Sequence, residues 1–469
     1  MKMYIAGNWV ESRAMLDVRS PYDGTTVDSV PLASPTDVEA ALDSAARGAR
    51  VMAGLTAFRR HEILIKAADL LAARAEEFAR TLTREMGKTI VEARGEVGRA
   101  VHTLTLSAEE GRRLTGETLP LDGAPGVARK LGFTVRVPCG VVVAITPFNF
   151  PLNLVCHKVG PAIAAGNAVI LKPASATPLS AVELTALLLE AGLPPEGIQC
   201  VTGSGATVGT LLCADRRVRK ISFTGSREVG VRIMRTAGIK KATMELGSNS
   251  PLIVMPDADL ATVAAATAVS GYANAGQSCI STQRVLVDRH VYGDFLDVVT
   301  PLVEAITTGD PLDEAVRMGP MIDEREAERV SAWIGEAVRE GARVLAGGTR
   351  AGAIHAPTLV ADVAPSLRMS REELFGPAVA VTPFDGIDEA LTLASASRYG
   401  LGAGIFTESI RWAMEFVQRM EAGNLMVNWA PSWRADLMPY GGLKESGIGT
   451  EGPKYAVEEM TDSKTVVFH

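Results

Sequence analysis

Gly140-Val-Val-Val-Ala-Ile145-Thr-Pro-Phe-Asn149-Phe-Pro151 joins a short β-branched run to a turn constrained by two prolines. A run of valines and isoleucine bounded by turn residues reads as a strand buried on both faces. Phe133-Thr-Val-Arg-Val137 gives a strand just upstream. Downstream, helix-like segments alternate with strands Ala168-Val-Ile-Leu171 and Lys220-Ile-Ser-Phe223. Continuous apolar strands separated by helices are what a parallel sheet with both faces covered requires. A second alternating series follows Gly247, with Pro251-Leu-Ile-Val-Met255, Arg284-Val-Leu-Val287, Ala378-Val-Ala-Val381 and Asn424-Leu-Met-Val-Asn428. The pattern predicts two α/β domains joined near Gly247. Before them, Arg59 to Lys88 carries Ile63, Leu64, Ala67, Ala68, Leu71, Ala75, Phe78 and Leu82 near 3.6-residue spacing, which predicts an amphipathic helix. The tail, Ser463-Lys-Thr-Val-Val-Phe468, is a lone strand that must complete a sheet elsewhere or in another subunit.

A chain of 469 residues exceeds the size at which one hydrophobic core keeps growing, so several packed units are expected. With 47% apolar and 22% charged residues and no long uncharged apolar run, it has material for large cores and no candidate membrane span. The first residues lack the pattern of a secretory signal, so a cytoplasmic location is expected. Five cysteines, Cys139, Cys156, Cys200, Cys213 and Cys279, are scattered without CxxC spacing and suggest neither a disulfide framework nor a metal site. A net charge of −7 without a dense basic block gives no footprint for nucleic acid. The expected partner is a small molecule.

Three segments carry candidate chemistry. In Gly271-Tyr-Ala-Asn-Ala-Gly-Gln-Ser-Cys279-Ile-Ser, small residues flank one thiol, leaving room for a ligand, and a thiolate is a good nucleophile for a carbonyl carbon. The bland alternative, a buried cysteine acting as a small hydrophobe, fits the other four. In Met244-Glu245-Leu-Gly-Ser-Asn-Ser-Pro251 a carboxylate stands between an apolar run and a turn, able to activate water or simply to cap an element. The amide of Asn149, between its two prolines, can donate to an oxyanion or merely form a turn. Singly, none of these segments decides the function.

Together they resemble the aldehyde dehydrogenase superfamily. The resemblance runs nearly end to end: Tyr-Ile-Ala-Gly-Asn-Trp-Val10, Thr146-Pro147-Phe-Asn149-Phe150-Pro, Leu-Lys172-Pro-Ala-Ser175, Phe223-Thr-Gly225-Ser226, Glu245-Leu-Gly247-Ser, Gly-Gln-Ser278-Cys279, Glu373-Leu-Phe375-Gly-Pro377 and Pro439-Tyr-Gly-Gly442. It implies an α/β fold with a Rossmann-like NAD(P)-binding domain at 1–118 and 139–246 and a catalytic domain at 247–445. A β oligomerisation element at 119–138 and 446–469 would make a homodimer or homotetramer. It also implies that Cys279 attacks the aldehyde, that Asn149 and the Cys279 amide hold the oxyanion, and that Glu245 activates water to hydrolyse the thioester. Relatives that pass the acyl group to coenzyme A usually lack that glutamate, so the product would be a free acid. For the cofactor, the resemblance implies contacts from Thr146, Pro147, Lys172, Ser175, Gly205, Phe223, Gly225, Ser226, Gly247, Glu373 and Phe375. Ser175 stands where many NAD-specific relatives carry a glutamate that repels a 2′-phosphate, so NADP is permitted beside NAD.

For the substrate, the resemblance places Arg99, Phe150, His157, Ser278 and Arg434 along the aldehyde tunnel. Two guanidiniums and an imidazole suit an anionic distal group, carboxylate, phosphate or phosphonate. The implied substrate is a short aldehyde bearing such a group, with a neutral aldehyde such as lactaldehyde as the alternative. Ser278, where some phosphate-selective relatives have arginine, tempers the strongest-anion readings, and Arg99 could instead pair with a carboxylate. Two other readings remain: an acyl-transfer enzyme without nicotinamide, and a silent binding protein built on the same fold.

Overall fold

The computed structural model describes residues 1–127 and 130–469. Ala128 and Arg129, inside the range 119–138, lie outside the described residues. Five parallel strands form the centre of the first sheet: β1 (Val141–Ile145), β2 (Ala168–Lys172), β3 (Ile198–Cys200), β4 (Val218–Thr224) and β5 (Lys241–Glu245). Their spatial order is β3-β2-β1-β4-β5, the doubly wound arrangement. Met3–Ile5 adds antiparallel at one edge, against β3, and Gly447–Ile448 at the other, against β5. The register sets Lys172 beside Ile145, Ile145 beside Phe223, and Thr224 beside Glu245. These residues therefore share one carboxyl edge, and the strand order reverses between β1 and β4.

The second sheet holds β6 (Pro251–Val254), β7 (Arg284–Asp288), β8 (Arg343–Ala346), β9 (Thr358–Ala361), β10 (Ala378–Phe384), β11 (Gly402–Phe406) and β12 (Asn424–Val427). The order is β8-β9-β10-β7-β6-β11-β12, parallel except for β8. Thr461–Phe468 pairs along its whole length with Leu131–Pro138, and Thr118–Leu119 completes that small sheet. Residues beyond 446 do not all belong there. Gly447–Ile448 joins the first sheet, and a helix at Pro453–Glu459 packs between them.

The amphipathic run from Arg59 to Lys88 is two helices, Ala57–Ala73 and Ala75–Met86. Arg74 leaves helical geometry at φ −109°, ψ 22°, and Glu76 and Glu77 open the second helix with the charge its N-terminus favours. Two helices position the site. α1 (Ile90–Arg113) starts with a capping box made by Thr89 and Glu92. α2 (Asn153–Ala164) packs on α1 and is buried along every residue, which is why it lacks an amphipathic stripe. Leu104, fully buried on α1, helps to hold this pair together. Leu104→Ala should destabilise the protein by about 2–5 kcal/mol, read as a lower urea midpoint with an unchanged denaturant dependence.

Candidate active site

A helix buried on all sides can carry polar side chains only if each finds a partner. α2 carries Asn153, His157 and Lys158. Asn153 Nδ2 donates to Asp436 Oδ1 at 3.2 Å and its Oδ1 accepts from Thr103 at 2.9 Å. His157 Nε2 lies 2.8 Å from Asp436 Oδ1. Lys158 Nζ donates to Glu451 Oε1 at 2.5 Å and to Ser222 at 3.2 Å. The N-terminus of α2 is held by Glu96, whose Oε1 accepts from the Leu152 and Asn153 amides at 2.9 and 3.0 Å. Glu96 is in turn paired with buried Lys88, which also donates to the Asn149 carbonyl at 2.9 Å.

Cys279 follows a loop wound the unusual way: Asn274, Ala275 and Gly276 all have positive φ, at 53°, 53° and 67°. Such backbone persists only where its surroundings enforce it. A Cβ on Gly276 would stand 2.1 Å from the Gly376 carbonyl oxygen, so the loop is pressed directly against the Glu373–Pro377 segment. Asn274 is tied by its amide to Glu92 at 2.6 Å and by Nδ2 to the Asn149 carbonyl at 3.0 Å. Asn149 Nδ2 donates to the Gln277 carbonyl at 2.9 Å, while its Oδ1 is buried without a partner. The turn after β1 and the cysteine loop are thus stitched together across the two sheets.

Cys279 alone among the five cysteines is partly exposed. Burial of its sulfur pushes the thiol up to about 11, while a hydrogen bond from Tyr440 and the charge of Arg434 pull the other way. Both oxygens of Glu245 are buried without partners. Burial, reinforced by the neighbouring carboxylate of Glu451, holds Glu245 well above the ordinary carboxylate range. Burial opposes ionisation of Glu451 too, but Lys158 and Arg434 outweigh it and hold that carboxyl low. Two close carboxylates are therefore pushed in opposite directions, Glu245 toward its neutral form and Glu451 toward its charged form.

Arg99 does not present a free guanidinium. Its Nε and Nη2 bond both oxygens of Asp436, at 3.1 and 2.7 Å, so the carboxylate partner lies across the domain boundary and not on its own helix. Burial of Asp436 is overcome by hydrogen bonds from His157 and Arg99, which hold its carboxyl far below the usual range. His157 is pushed down to about 4 by burial and by the charge of Arg434, so it is neutral near pH 7. Its Nδ1 is buried and unpartnered. Arg434 is held more loosely: its side chain is 7% exposed and Nη2 lies 3.6 Å from Glu451 Oε2, but neither Nε nor Nη2 makes a hydrogen bond. Its guanidinium lies 3.7 Å over the Tyr440 ring centre. Phe150 packs under Lys88, whose Nζ is 4.2 Å from the ring centre, and Ser278 is partly buried beside the cysteine.

At the carboxyl edge of the first sheet the hydroxyls of Thr146 and Thr224 are buried without partners, at the point where the strand order reverses. A cleft there is lined by Ile145, Gly205, Gly209, Thr210, Val229 and Arg232, and a Cβ on Gly205 would meet nothing within 4 Å. Pro147 follows Thr146 in the partly exposed turn. Lys172 ends β2, with Nζ on the Pro173 carbonyl at 2.9 Å, and burial pushes its ammonium down to about 8. Ser175 donates to the Gly203 carbonyl at 3.1 Å. Ser226 caps the helix Arg227–Ala237 by accepting from the Val229 amide. Two glycines prove to serve protein packing. A Cβ on Gly225 would lie 2.5 Å from the Phe223 ring, and one on Gly247 2.2 Å from Glu373 Oε2. Glu373 accepts from the Ser248 amide at 2.9 Å, and Phe375, at φ 48°, packs edge-on against Phe148. Orphaned hydroxyls, an open glycine cleft and a helix N-terminus at a topological switch point fit a dinucleotide.

Sequence reasoning missed four participants. Tyr440 lay inside the quoted Pro439-Tyr-Gly-Gly442, but only the fold reveals what it and Asp436 touch. Lys158 and Glu451 stand in unremarkable surroundings; the one available signal was a lysine in an otherwise apolar helix.

A dinucleotide-type sheet whose switch point faces a strained loop bearing a partly exposed thiol defines a dinucleotide-dependent oxidoreductase. The aldehyde dehydrogenase family model matches residues 9–466, and the chain belongs to that family. It is an NAD(P)-dependent aldehyde dehydrogenase. A 3-sulfolactaldehyde dehydrogenase from Priestia aryabhattai is 46% identical over 467 residues, covering 100% of this chain and 98% of its own. Aldehyde dehydrogenase 21 from Physcomitrella patens, solved with the reaction product succinate, superposes with a TM-score of 0.97 at 38% identity, covering 100% and 98% of the two chains. The NADP-dependent glyceraldehyde-3-phosphate dehydrogenase of Bacillus halodurans C-125, solved with NADP, gives 0.98 at 34% identity, covering 100% and 98%. Among the described residues no helix is long and apolar enough to cross a membrane.

The His157 shift has a thermodynamic sign. Its folded pKa, about 4, lies below the ordinary value of 6.5. As pH falls through this window the unfolded chain gains a proton that the folded chain does not, so stability is present above 6.5 and is lost toward 4. His157→Asn should flatten that acid limb by at most about 1.4 kcal/mol per pH unit, measured as urea midpoint against pH.

Proposed function

We propose that the protein oxidises a short aldehyde bearing an anionic distal group to the free acid, with NADP or NAD as oxidant. The observation that carries the anionic preference is Arg434: a nearly buried guanidinium near Cys279 whose Nε and Nη2 make no hydrogen bond, with Glu451, already bonded by Lys158, 3.6 Å from Nη2. Buried N–H groups without an acceptor are costly, and an anionic group on the substrate would relieve that cost. Arg99 contributes less than the sequence suggested, because Asp436 neutralises it. Neutral His157, held through Nε2 by Asp436, offers its free Nδ1 lone pair to a hydroxyl donor. An anion with an adjacent hydroxyl is the chemistry named for the sulfolactaldehyde enzyme of Priestia, which supports this reading.

In this reading Cys279 Sγ adds to the aldehyde carbon, and the oxyanion is held by the Asn149 amide and the Cys279 N–H. A nicotinamide dinucleotide bound at the switch point supplies the acceptor for the hydride, leaving a thioester on Cys279. Glu245 takes a proton from the attacking water, and the acid leaves as the thiolate is restored. Lys172 and Ser175 would hold the adenosine ribose of the bound cofactor, Ser226 and its helix the pyrophosphate, and Glu373 the nicotinamide ribose. Ser175 sets no carboxylate against a 2′-phosphate, which supports NADP beside NAD. The exposed Val467 and Phe468 on the C-terminal strand, and the free edge at β12, support a homodimer or a tetramer of dimers, each tail extending a neighbour's sheet.

Steady-state reduction of NAD and NADP against matched neutral and anionic short aldehydes tests this. The anionic member should lead in kcat/KM, Cys279→Ala should be inactive, and Arg434→Ala should cost the anionic substrate about 10- to 100-fold more than the neutral one. Equal losses for both would remove Arg434 from anion recognition.

A further inference from the structure

Tyr440 has no part in the scheme above, yet its phenolic oxygen lies 3.1 Å from Cys279 Sγ. The side chain is 3% exposed, and its backbone exchanges two hydrogen bonds with Glu451, at 2.7 and 3.1 Å, so the hydroxyl is fixed in place. Burial, and next the nearby Cys279, hold the phenol well above its ordinary value, and the oxygen keeps its proton near neutrality. The Arg434 guanidinium over the ring draws electron density from it and makes the O–H a better donor. Toward a neutral thiol either partner can donate. Toward a thiolate, which carries no proton, only the phenol can, and the bond becomes charge-assisted. A thioester sulfur is uncharged and a poor acceptor, so this bond is strong only when the sulfur bears charge.

We propose that Tyr440 is a catalytic residue that donates its hydroxyl hydrogen bond to the Cys279 thiolate, stabilising it before attack on the aldehyde and again when the acyl group leaves. In the ionisation the S–H bond breaks, the electron pair stays on sulfur, the proton passes to solvent and the phenol keeps its own. The inference rests on Cys279 as the nucleophile. It also assigns Arg434 a second task, since the cation that faces the substrate polarises the phenol.

The test is alkylation of the whole enzyme by iodoacetamide as a function of pH, for wild type and Tyr440→Phe, each corrected by the same protein carrying Cys279→Ala. Phenylalanine keeps the ring and removes only the donor. The Tyr440→Phe profile should move up by about one pH unit, seen as alkylation about tenfold slower at any pH below the midpoint, with an unchanged melting temperature. The kcat should fall while KM for the aldehyde holds. Superimposable profiles would overturn the proposal. Aldehyde oxidation retained by Cys279→Ala would overturn the nucleophile reading as well, whereas an inactive Cys279→Ala beside superimposable profiles removes the role of Tyr440 alone.

Discussion

The buried pair of Lys158 and Glu451 is the constraint around which the site is arranged. Neither charge can be left alone in the interior, where an unpaired ion costs several kcal/mol. Lys158 sits on a helix of the first domain, and Glu451 arrives on the chain that has already crossed the second. Meeting this requirement brings the segment around Tyr440 back over the thiol. It also sets the two nearby carboxylates apart: Glu451 takes the compensating cation, and Glu245 is left above the ordinary carboxylate range. An ion pair with little net value for stability thus fixes both a geometry and a protonation pattern.

A second electrostatic centre is built on Asp436. One carboxylate accepts from Arg99, Asn153 and His157, drawing a helix of the first domain, its buried neighbour and the loop of the second domain to one point. This changes the meaning of the cationic cluster seen in the sequence. Three basic side chains looked like a field for anions; with Asp436 among them, one is neutralised, one is a neutral imidazole of fixed tautomer, and one guanidinium, beside Glu451, keeps N–H groups without a hydrogen bond. On the proposed reading, selectivity rests on that one guanidinium and not on a diffuse positive potential.

Most central strands were legible because burial on both faces writes apolar runs, and the observed strands extend those runs by up to three residues. β3, β5, β8, β9 and β11 escaped because their runs are short or interrupted by glycine or polar residues. The break at Arg74 was hidden because the apolar stripe continues through it, carried by tertiary packing against the next layer. At the site, Cys279, Glu245 and Asn149 could be singled out because their neighbours are small or rigid. What a side chain touches far along the chain was not legible. At Gly225 and Gly247, Phe223 and Glu373 occupy the space a side chain would take. No local signal in the sequence shows which neighbours lie that close to a glycine.

The tight seat of Gly276 on Gly376 separates two kinds of change. The cysteine loop is held by backbone against backbone, so it has almost no freedom to accept new side chains. Arg434 and Asp436, which on the proposed reading shape the substrate site, come instead from the loop of Trp429–Asp436, which is tied to Arg99 and His157 by side-chain contacts that can be exchanged one at a time. Substrate range can therefore drift through substitutions in that one loop while the reactive centre stays as it is. A scaffold so divided can supply new selectivities without rebuilding its chemistry.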